Sequence, residues 1–227
     1  MSRRPAGVLW DMDGTIVDTE PYFTDAVVRL VEADGGALDA EDHRALVGAN
    51  LWDVAAVAIR AGVRRSAAEI VDEILAAVRR QLRGGIPWRP GALELLRAVR
   101  AAGVPTALVT MSFRGVADEV VRGIPFDAFD AVVTGEDVVR GKPDPEAYHR
   151  AAELLGVDVA ECVVLEDSPP GVAAGVASGA AVVAVPFYVA LPASDAYTTW
   201  DTLVGKDLPS LVRAAAARGP SADPLPV

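Results

Sequence analysis

Two aspartates, Asp11 and Asp13, directly follow a short apolar run near the start of the chain, within the stretch Gly7–Thr15. Alternate residues of an extended chain point to the same side, so both carboxylates face one small volume if the extended geometry persists. Carboxylates held this close need a cation, a shared proton or hydrogen bonds. Mg²⁺ accepts such oxygen ligands together with waters and a substrate phosphate. The pattern therefore indicates a metal and phosphate site, and the alternative is a solvated acidic turn that Gly14 bends.

Further polar residues stand where later strands are predicted to end. Thr110 follows the apolar stretch 105–109, Glu166 and Asp167 follow another strand, and Lys142 lies in a loop before a helix. The carboxyl ends of parallel strands share one edge of a sheet, where ligands bind. Together these side chains supply carboxylates, a hydroxyl and an ammonium, which is the set that metal-assisted phosphoryl transfer needs.

Alternating strands and helices must position these residues. Apolar runs predict strands at residues 7–10, 105–109, 131–133, 162–165 and 180–185. Helices are predicted at residues 91–102, 113–122, 144–155 and 208–217, with a further helix that Ser168 caps. Asp144 is expected to cap the helix 144–155, with Pro145 in its first position. The alternation predicts an α/β fold with a Rossmann-like parallel-sheet core, and residues 190–206 show no strong period.

The stretch between the first strand and residue 87 is helical throughout. Helices are predicted at residues 21–34, 39–47, 51–59 and 66–82, the last opened by the capping-box sequence that begins at Ser66. We therefore expect an all-helical cap domain at 19–86, an α/β core formed by 1–18 and 87–217, and a flexible tail at 218–227.

Composition restricts the classes of function. The chain has 227 residues, 52% of them hydrophobic, but no apolar run of the ~20 residues that span a membrane. The N-terminus lacks a secretory signal, and the one cysteine, Cys162, fits a reducing compartment. These features predict a cytoplasmic protein without a membrane partner. Oligomeric state cannot be inferred, and a monomer fits.

The net charge of −11 argues against a nucleic-acid partner and requires any site for an anionic substrate to be built locally. Only two residues are lysines, and one of them, Lys142, stands in the sequence Gly-Lys-Pro-Asp-Pro. His43 and His149 lack ligand spacing and are expected at the surface. Ser112 lacks the Gly-x-Ser-x-Gly context of serine hydrolases.

Four stretches resemble, in family order, motifs of the haloacid dehalogenase (HAD) superfamily, in its helical-cap subfamily of β-phosphoglucomutases and phosphoglycolate phosphatase-like enzymes. The stretches are Asp11–Thr15, Leu108–Thr110, Gly141–Pro145 and Glu166–Gly171. The resemblance implies a Mg²⁺-dependent hydrolase that acts on a small-molecule phosphomonoester through an aspartyl-phosphate. Dehalogenases of the superfamily lack the second aspartate, and Asp13 is present here.

The resemblance also implies roles. Asp11 would be the nucleophile and Asp13 the general acid and base. The Asp11 carboxylate, the Asp13 carbonyl and Asp167 would hold Mg²⁺, with Glu166 nearby or on a metal-bound water. Two further positions would bind the phosphoryl group: Thr110, helped by backbone amides around Met111, and Lys142, which would neutralise charge on the nucleophile and the phosphoryl oxygens.

Departures from the mutase pattern concern the substrate. Phe23 stands where the mutases have a histidine, Glu20 replaces an alanine, and the loop 47–52 has no basic residue to hold a second phosphate. We therefore expect hydrolysis of a monophosphate, with Glu20, Leu51 and Trp52 as substrate-binding residues; Leu51 and Trp52 are equally compatible with the cap core. The alternatives are a β-phosphoglucomutase-like sugar-phosphate mutase and a non-catalytic binding protein, the latter disfavoured because no catalytic position is lost.

Overall fold

The computed structural model describes residues 4–46 and 49–216. The predicted tail at 218–227, the expected helix ends at Val47 and Ala217, and the first two residues of the loop 47–52 lie outside the described residues.

A parallel sheet of six strands forms the centre of the α/β part of the described chain, which confirms the predicted fold class. The strands are β1 (Gly7–Trp10), β2 (Thr106–Val109), β3 (Ala131–Val133), β4 (Cys162–Glu166), β5 (Ala181–Ala184) and β6 (Thr198–Thr199). Their order is β3-β2-β1-β4-β5-β6, and every pairing is parallel. The sequence did not predict β6, because two residues are too few to show an alternation.

The first strand lies between β2 and β4, and all four of its residues are buried. In the register, Trp10 pairs with Leu108 of β2 and with Leu165 of β4. The residues that follow these three, Asp11, Val109 and Glu166, therefore lie side by side at the carboxyl ends of their strands. This register places the predicted site residues of three strands at one edge.

The helices match their predicted positions to within a few residues. They are α1 (Glu20–Ala33), α2 (Ala40–Leu46), α3 (Leu51–Arg60), α4 (Ala67–Gly84), α5 (Ala92–Ala101), α6 (Arg114–Gly123), α7 (Glu146–Leu155), α8 (Pro169–Ala177) and α9 (Leu208–Ala216). One cap is corrected: Pro145 is the N-cap of α7, and the Asp144 carboxylate instead accepts the Glu146 N–H at 3.0 Å. None of the helices in the described ranges is both long and apolar enough to cross a membrane.

The chain divides into two compact units, one formed by residues 1–18 and 88–227 and the other by residues 19–87. In the first unit, α7 packs on β1, β2 and β3, and α8 packs on β4 and β5. In the second, α1 and α3 pack on α4 and bury an apolar interior. The assignment of the units as a core and a cap domain stays a prediction.

The predicted capping box opens α4. The Ser66 hydroxyl accepts the Glu69 N–H at 3.3 Å, and the Glu69 carboxylate accepts the Ser66 N–H at 2.9 Å. These bonds satisfy amides that the first turn of a helix leaves unpaired.

We expect Ser66→Ala to lower the free energy of unfolding of the helical unit by about 1 kcal/mol, because it removes this N-cap acceptor. The measurement is urea unfolding followed by circular dichroism. Ser66→Thr, which keeps a hydroxyl that can accept the Glu69 N–H and donate to the Glu69 carboxylate, serves as the matched control and should retain most of the stability. Equal losses in both variants would contradict the capping role.

Candidate active site

The Asp11 side chain lies at the end of β1 and is buried. Its N–H donates to the Leu165 carbonyl at 3.0 Å, so the backbone still runs alongside β4 at this point. One carboxylate oxygen, Oδ1, accepts from Lys142 Nζ at 2.7 Å. The other, Oδ2, is buried and has no hydrogen-bond partner within the described part of the chain. A buried oxygen of this kind is costly unless another group binds there.

After Asp11 the chain does not stay extended. The Ile16 N–H donates to the Met12 carbonyl at 2.9 Å, and Gly14 adopts a φ of +87°. A Cβ at Gly14 would overlap the Asp167 carboxylate. Glycine is therefore required at this position for two reasons: the left-handed turn and the close approach of Asp167.

Because of this turn, the carboxylate that joins Asp11 comes from a different strand end. Asp11, Glu166 and Asp167 each place one oxygen within 4.8 Å of the others, and all three residues are buried. The Asp13 carboxylate is not in this group. Its Oδ2 instead accepts from the Thr110 hydroxyl at 2.9 Å and from the Ser112 hydroxyl at 2.8 Å.

Glu166 is hydrogen-bonded at both oxygens. Oε1 accepts from Lys142 Nζ at 2.6 Å and from the Tyr148 hydroxyl at 2.8 Å. Oε2 accepts from the Asp167 N–H at 3.0 Å, the Ser168 N–H at 3.3 Å and the Ser168 hydroxyl at 3.2 Å. These five bonds fix the carboxylate and direct one oxygen at Lys142.

Lys142 donates three hydrogen bonds, which is all that an ammonium has. Its acceptors are Asp11 Oδ1, Glu166 Oε1 and the Val109 carbonyl, the last at 2.9 Å. Burial alone lowers the pKa of Lys142, but the charges of Asp11 and Glu166 outweigh it and raise the pKa well above its usual value. Lys142 is therefore a permanent cation in the site.

One ammonium does not balance three carboxylates. Burial, together with the charge of Glu166, raises the pKa of Asp11 well above its usual value. The same two causes raise the pKa of Asp167 to about 7. The excess negative charge favours binding of a proton or of a cation. The all-oxygen donor set and the unpartnered Asp11 Oδ2 fit a hard divalent cation such as Mg²⁺.

The predicted substrate-binding residues fall into two groups. Thr110 and Met111 follow β2 on the α/β unit, as predicted. Glu20, Leu51 and Trp52 lie in the helical unit, where Glu20 begins α1 and Leu51 begins α3. Trp52 is 55% exposed, which excludes it from the core of that unit. A role of these three residues in substrate binding stays a prediction.

Sequence reasoning missed two residues of the site. Tyr148 has a buried hydroxyl on Glu166, but on a helix its position matches that of an ordinary core residue. Ser112 was considered only as a nucleophile. Its spacing of two from Thr110 is a signal that could have placed both hydroxyls on one side of an extended chain. His43 and His149 are exposed, as expected.

The comparison with known families agrees with this geometry. The family model of haloacid dehalogenase-like hydrolases matches residues 5–179, which include every predicted site residue. The chain belongs to this family. Several of its relatives are named phosphatases, and the protein is an enzyme of the phosphoric monoester hydrolase class.

Two relatives and one solved structure define the similarity. Hexitol phosphatase A of Escherichia coli is 38% identical over 186 residues, which cover 80% of this chain and 83% of the relative. A phosphorylated carbohydrates phosphatase of Thermotoga maritima is 31% identical, over 76% of this chain and 81% of the relative. The crystal structure of β-phosphoglucomutase from Clostridium difficile has a TM-score of 0.71 at 22% identity, over 88% of this chain and 92% of that chain. This last likeness shows the fold.

In metal-free protein we expect the free energy of unfolding to fall as the pH rises from 5 to 8. The pKa of Asp167 is about 7 in the folded state, against about 4 in an unfolded chain. Between these values the folded state binds more protons, so the stability that this proton contributes is complete below the lower pKa and lost as the pH passes the higher one. The pKa of Asp11 is raised in the same direction.

Urea unfolding in the presence of a chelator measures this slope. Asp167→Asn cannot ionise and should remove about 2 to 4 kcal/mol of the decrease between pH 5 and pH 8. Asp118→Asn, which changes an exposed carboxylate on α6, should leave the slope as in the wild type. A slope that Asp167→Asn does not alter would contradict the assignment.

Proposed function

We propose that this protein is a Mg²⁺-dependent phosphatase that hydrolyses a small-molecule phosphomonoester of the sugar or polyol phosphate class, through an aspartyl-phosphate on Asp11. The observation that carries the proposal is the Asp11 carboxylate: it is buried, held at one oxygen by Lys142 and without a hydrogen-bond partner at the other. The hexitol and carbohydrate phosphatases among the relatives support the substrate class. A cytoplasmic location accompanies the proposal.

Asp11, Asp167 and the Asp13 carbonyl would hold the metal. Bound Mg²⁺ would neutralise carboxylate charge and allow an anionic nucleophile to approach an anionic phosphate. We assign Glu166 a supporting role beside these ligands, because its two oxygens already accept five hydrogen bonds. Its main task is to hold Lys142.

In the first half of the reaction, an Asp11 oxygen forms a bond to phosphorus as the bond from phosphorus to the leaving oxygen breaks. Asp13, protonated, gives its proton to that leaving oxygen. In the second half, Asp13 takes a proton from water as the water oxygen bonds to phosphorus and the bond to Asp11 breaks. Inorganic phosphate leaves, and both carboxyl groups return to their starting states.

The phosphoryl oxygens need donors through both halves. Thr110 and the backbone amides around Met111 would supply hydrogen bonds, and Lys142 would supply charge. Because Lys142 already donates to Asp11 Oδ1, it lies where negative charge passes from the nucleophile to the phosphoryl group. A preorganised cation at that point stabilises the transition state more than the ground state.

The first experiment is a panel of metabolite monophosphates that includes sorbitol 6-phosphate and β-glucose 1-phosphate, assayed for phosphate release with Mg²⁺ and with a chelator. We expect release from a sugar or polyol phosphate, and loss of release when the metal is removed. The sugar product of β-glucose 1-phosphate is analysed as well. Isomerisation without release would contradict hydrolysis and favour the mutase alternative.

Asp11→Asn should lower the rate of phosphate release by at least about 10³-fold, since an amide cannot act as the nucleophile. Rapid acid quench with ³²P-labelled substrate should show a covalent phosphoprotein in the wild type and none in the variant. The fold should survive, because a buried carboxylate with a raised pKa is replaced by a neutral isostere. Asp118→Asn is the matched control and should keep wild-type turnover. A labelled Asp11→Asn protein would exclude Asp11 as the nucleophile.

A further inference from the structure

The hydroxyls of Thr110 and Ser112 converge on the same oxygen of Asp13. Ser112 Oγ lies 2.8 Å and Thr110 Oγ1 lies 2.9 Å from Asp13 Oδ2, and the Ser112 N–H donates to Thr110 Oγ1 at 3.0 Å. Because a carboxylate oxygen only accepts, each hydroxyl is the donor in its bond to Asp13. The two bonds together restrict rotation of the Asp13 carboxylate.

A hydroxyl has a single proton to donate. The Thr110 proton is already given to Asp13, and the Thr110 oxygen accepts from the Ser112 amide. In the proposed reaction Thr110 must instead donate to a phosphoryl oxygen, so substrate binding takes this proton away from Asp13. When Asp13 must transfer a proton, Thr110 therefore no longer donates a hydrogen bond to the Asp13 carboxylate.

Ser112 differs from Thr110 in this respect. Its amide supports Thr110, while its hydroxyl donates to Asp13, so its bond to the carboxylate does not compete with the phosphoryl group for the Thr110 proton. A donor on Oδ2 is compatible with ionised Asp13 and also with Asp13 protonated on Oδ1. The bond can therefore persist through both halves of the reaction.

We propose that Ser112 is the positioning residue of the acid and base: it holds the Asp13 carboxylate in the orientation for proton transfer after substrate has engaged Thr110. This inference rests on the proposed function, in which Asp13 protonates the leaving oxygen and activates water. Ser112 itself does not react and exchanges no proton with the substrate.

The test uses the full-length enzyme with Mg²⁺ and two substrates that differ in the need for an acid. Sorbitol 6-phosphate has an alkoxide leaving group that must be protonated, and 4-nitrophenyl phosphate has a phenolate that leaves without a proton. For Ser112→Ala we expect kcat/KM on sorbitol 6-phosphate to fall about 10- to 100-fold, as part of the contribution of general acid catalysis. On 4-nitrophenyl phosphate kcat/KM should stay within about twofold, since that ratio reports formation of the phosphoenzyme.

The turnover number on 4-nitrophenyl phosphate gives a second signature. Activation of water still needs Asp13, so kcat should fall in Ser112→Ala and KM should fall with it. A residue that only supports the fold would not produce this split between kcat and kcat/KM. Ser112→Thr keeps a hydroxyl, so kcat and kcat/KM on both substrates should stay near the wild-type values. Thermal melting checks that each variant is folded.

Asp13→Asn separates this inference from the function beneath it. Its kcat/KM should fall more on sorbitol 6-phosphate than on 4-nitrophenyl phosphate, as for Ser112→Ala, and by a larger factor. Suppose that Asp13→Asn lowers kcat/KM more on sorbitol 6-phosphate than on 4-nitrophenyl phosphate, while Ser112→Ala lowers it on neither substrate or equally on both. Ser112 is then not the positioning residue, and the proposed function stands. If Asp13→Asn does not discriminate, the acid assignment fails, and the role of Ser112 fails with it.

Discussion

One ammonium group holds together the edge of the sheet at which the candidate site lies. Lys142 Nζ bonds to a residue that follows β1, to the last carbonyl of β2 and to the last residue of β4. It thereby joins three neighbouring strands at their carboxyl ends. Removing one partner from a buried ion pair typically costs about 3 to 5 kcal/mol, because the remaining charge loses its compensation. Here two carboxylates depend on the same cation, so the position cannot tolerate a neutral residue without a change in the surrounding charges.

The charges around Lys142 also affect the ionisation of the carboxylates beside it. Three buried carboxylates leave an excess of negative charge beside the one ammonium that is bonded to them, and the charge of Arg89 also acts on Asp167. The raised pKa values of Asp11 and Asp167 report this excess. Such an arrangement is unfavourable by itself and becomes more favourable when a proton or a cation binds.

Most of the architecture could be predicted from the sequence because its signals are local. Buried parallel strands give uninterrupted apolar runs, as in β1 and β4. The capping-box sequence that begins at Ser66 marks the start of α4. Boundaries depend on finer detail: α7 begins at Glu146, one residue later than predicted, and the Asp144 carboxylate accepts the N–H of that first helical residue. The strand β6 is recognisable only by its pairing with β5.

The residues that lie together in the candidate site were easier to predict from the sequence than their arrangement. The order of the four motifs predicted that their polar residues lie at one edge of the sheet, where the structure has them, but the argument from an extended chain put Asp13 beside Asp11. The turn at Gly14 instead sends the Asp13 carboxylate to Thr110 and Ser112, and Asp167 comes from β4 to lie against the glycine. Contacts of this kind depend on a close approach between segments far apart in sequence, which no local pattern encodes.

The central place of β1 in the sheet has a consequence for how the protein is made on the ribosome. Its partners are β2 at Thr106–Val109 and β4 at Cys162–Glu166, so the first strand to be synthesised is among the last to gain both neighbours. A nascent chain that ends near residue 100 contains the whole contiguous helical unit but a single strand, with Asp11 still lacking its lysine. The helical unit is therefore expected to fold before the sheet, while the apolar strand β1 stays unpaired and exposed to chaperones and to aggregation until the second half of the chain emerges.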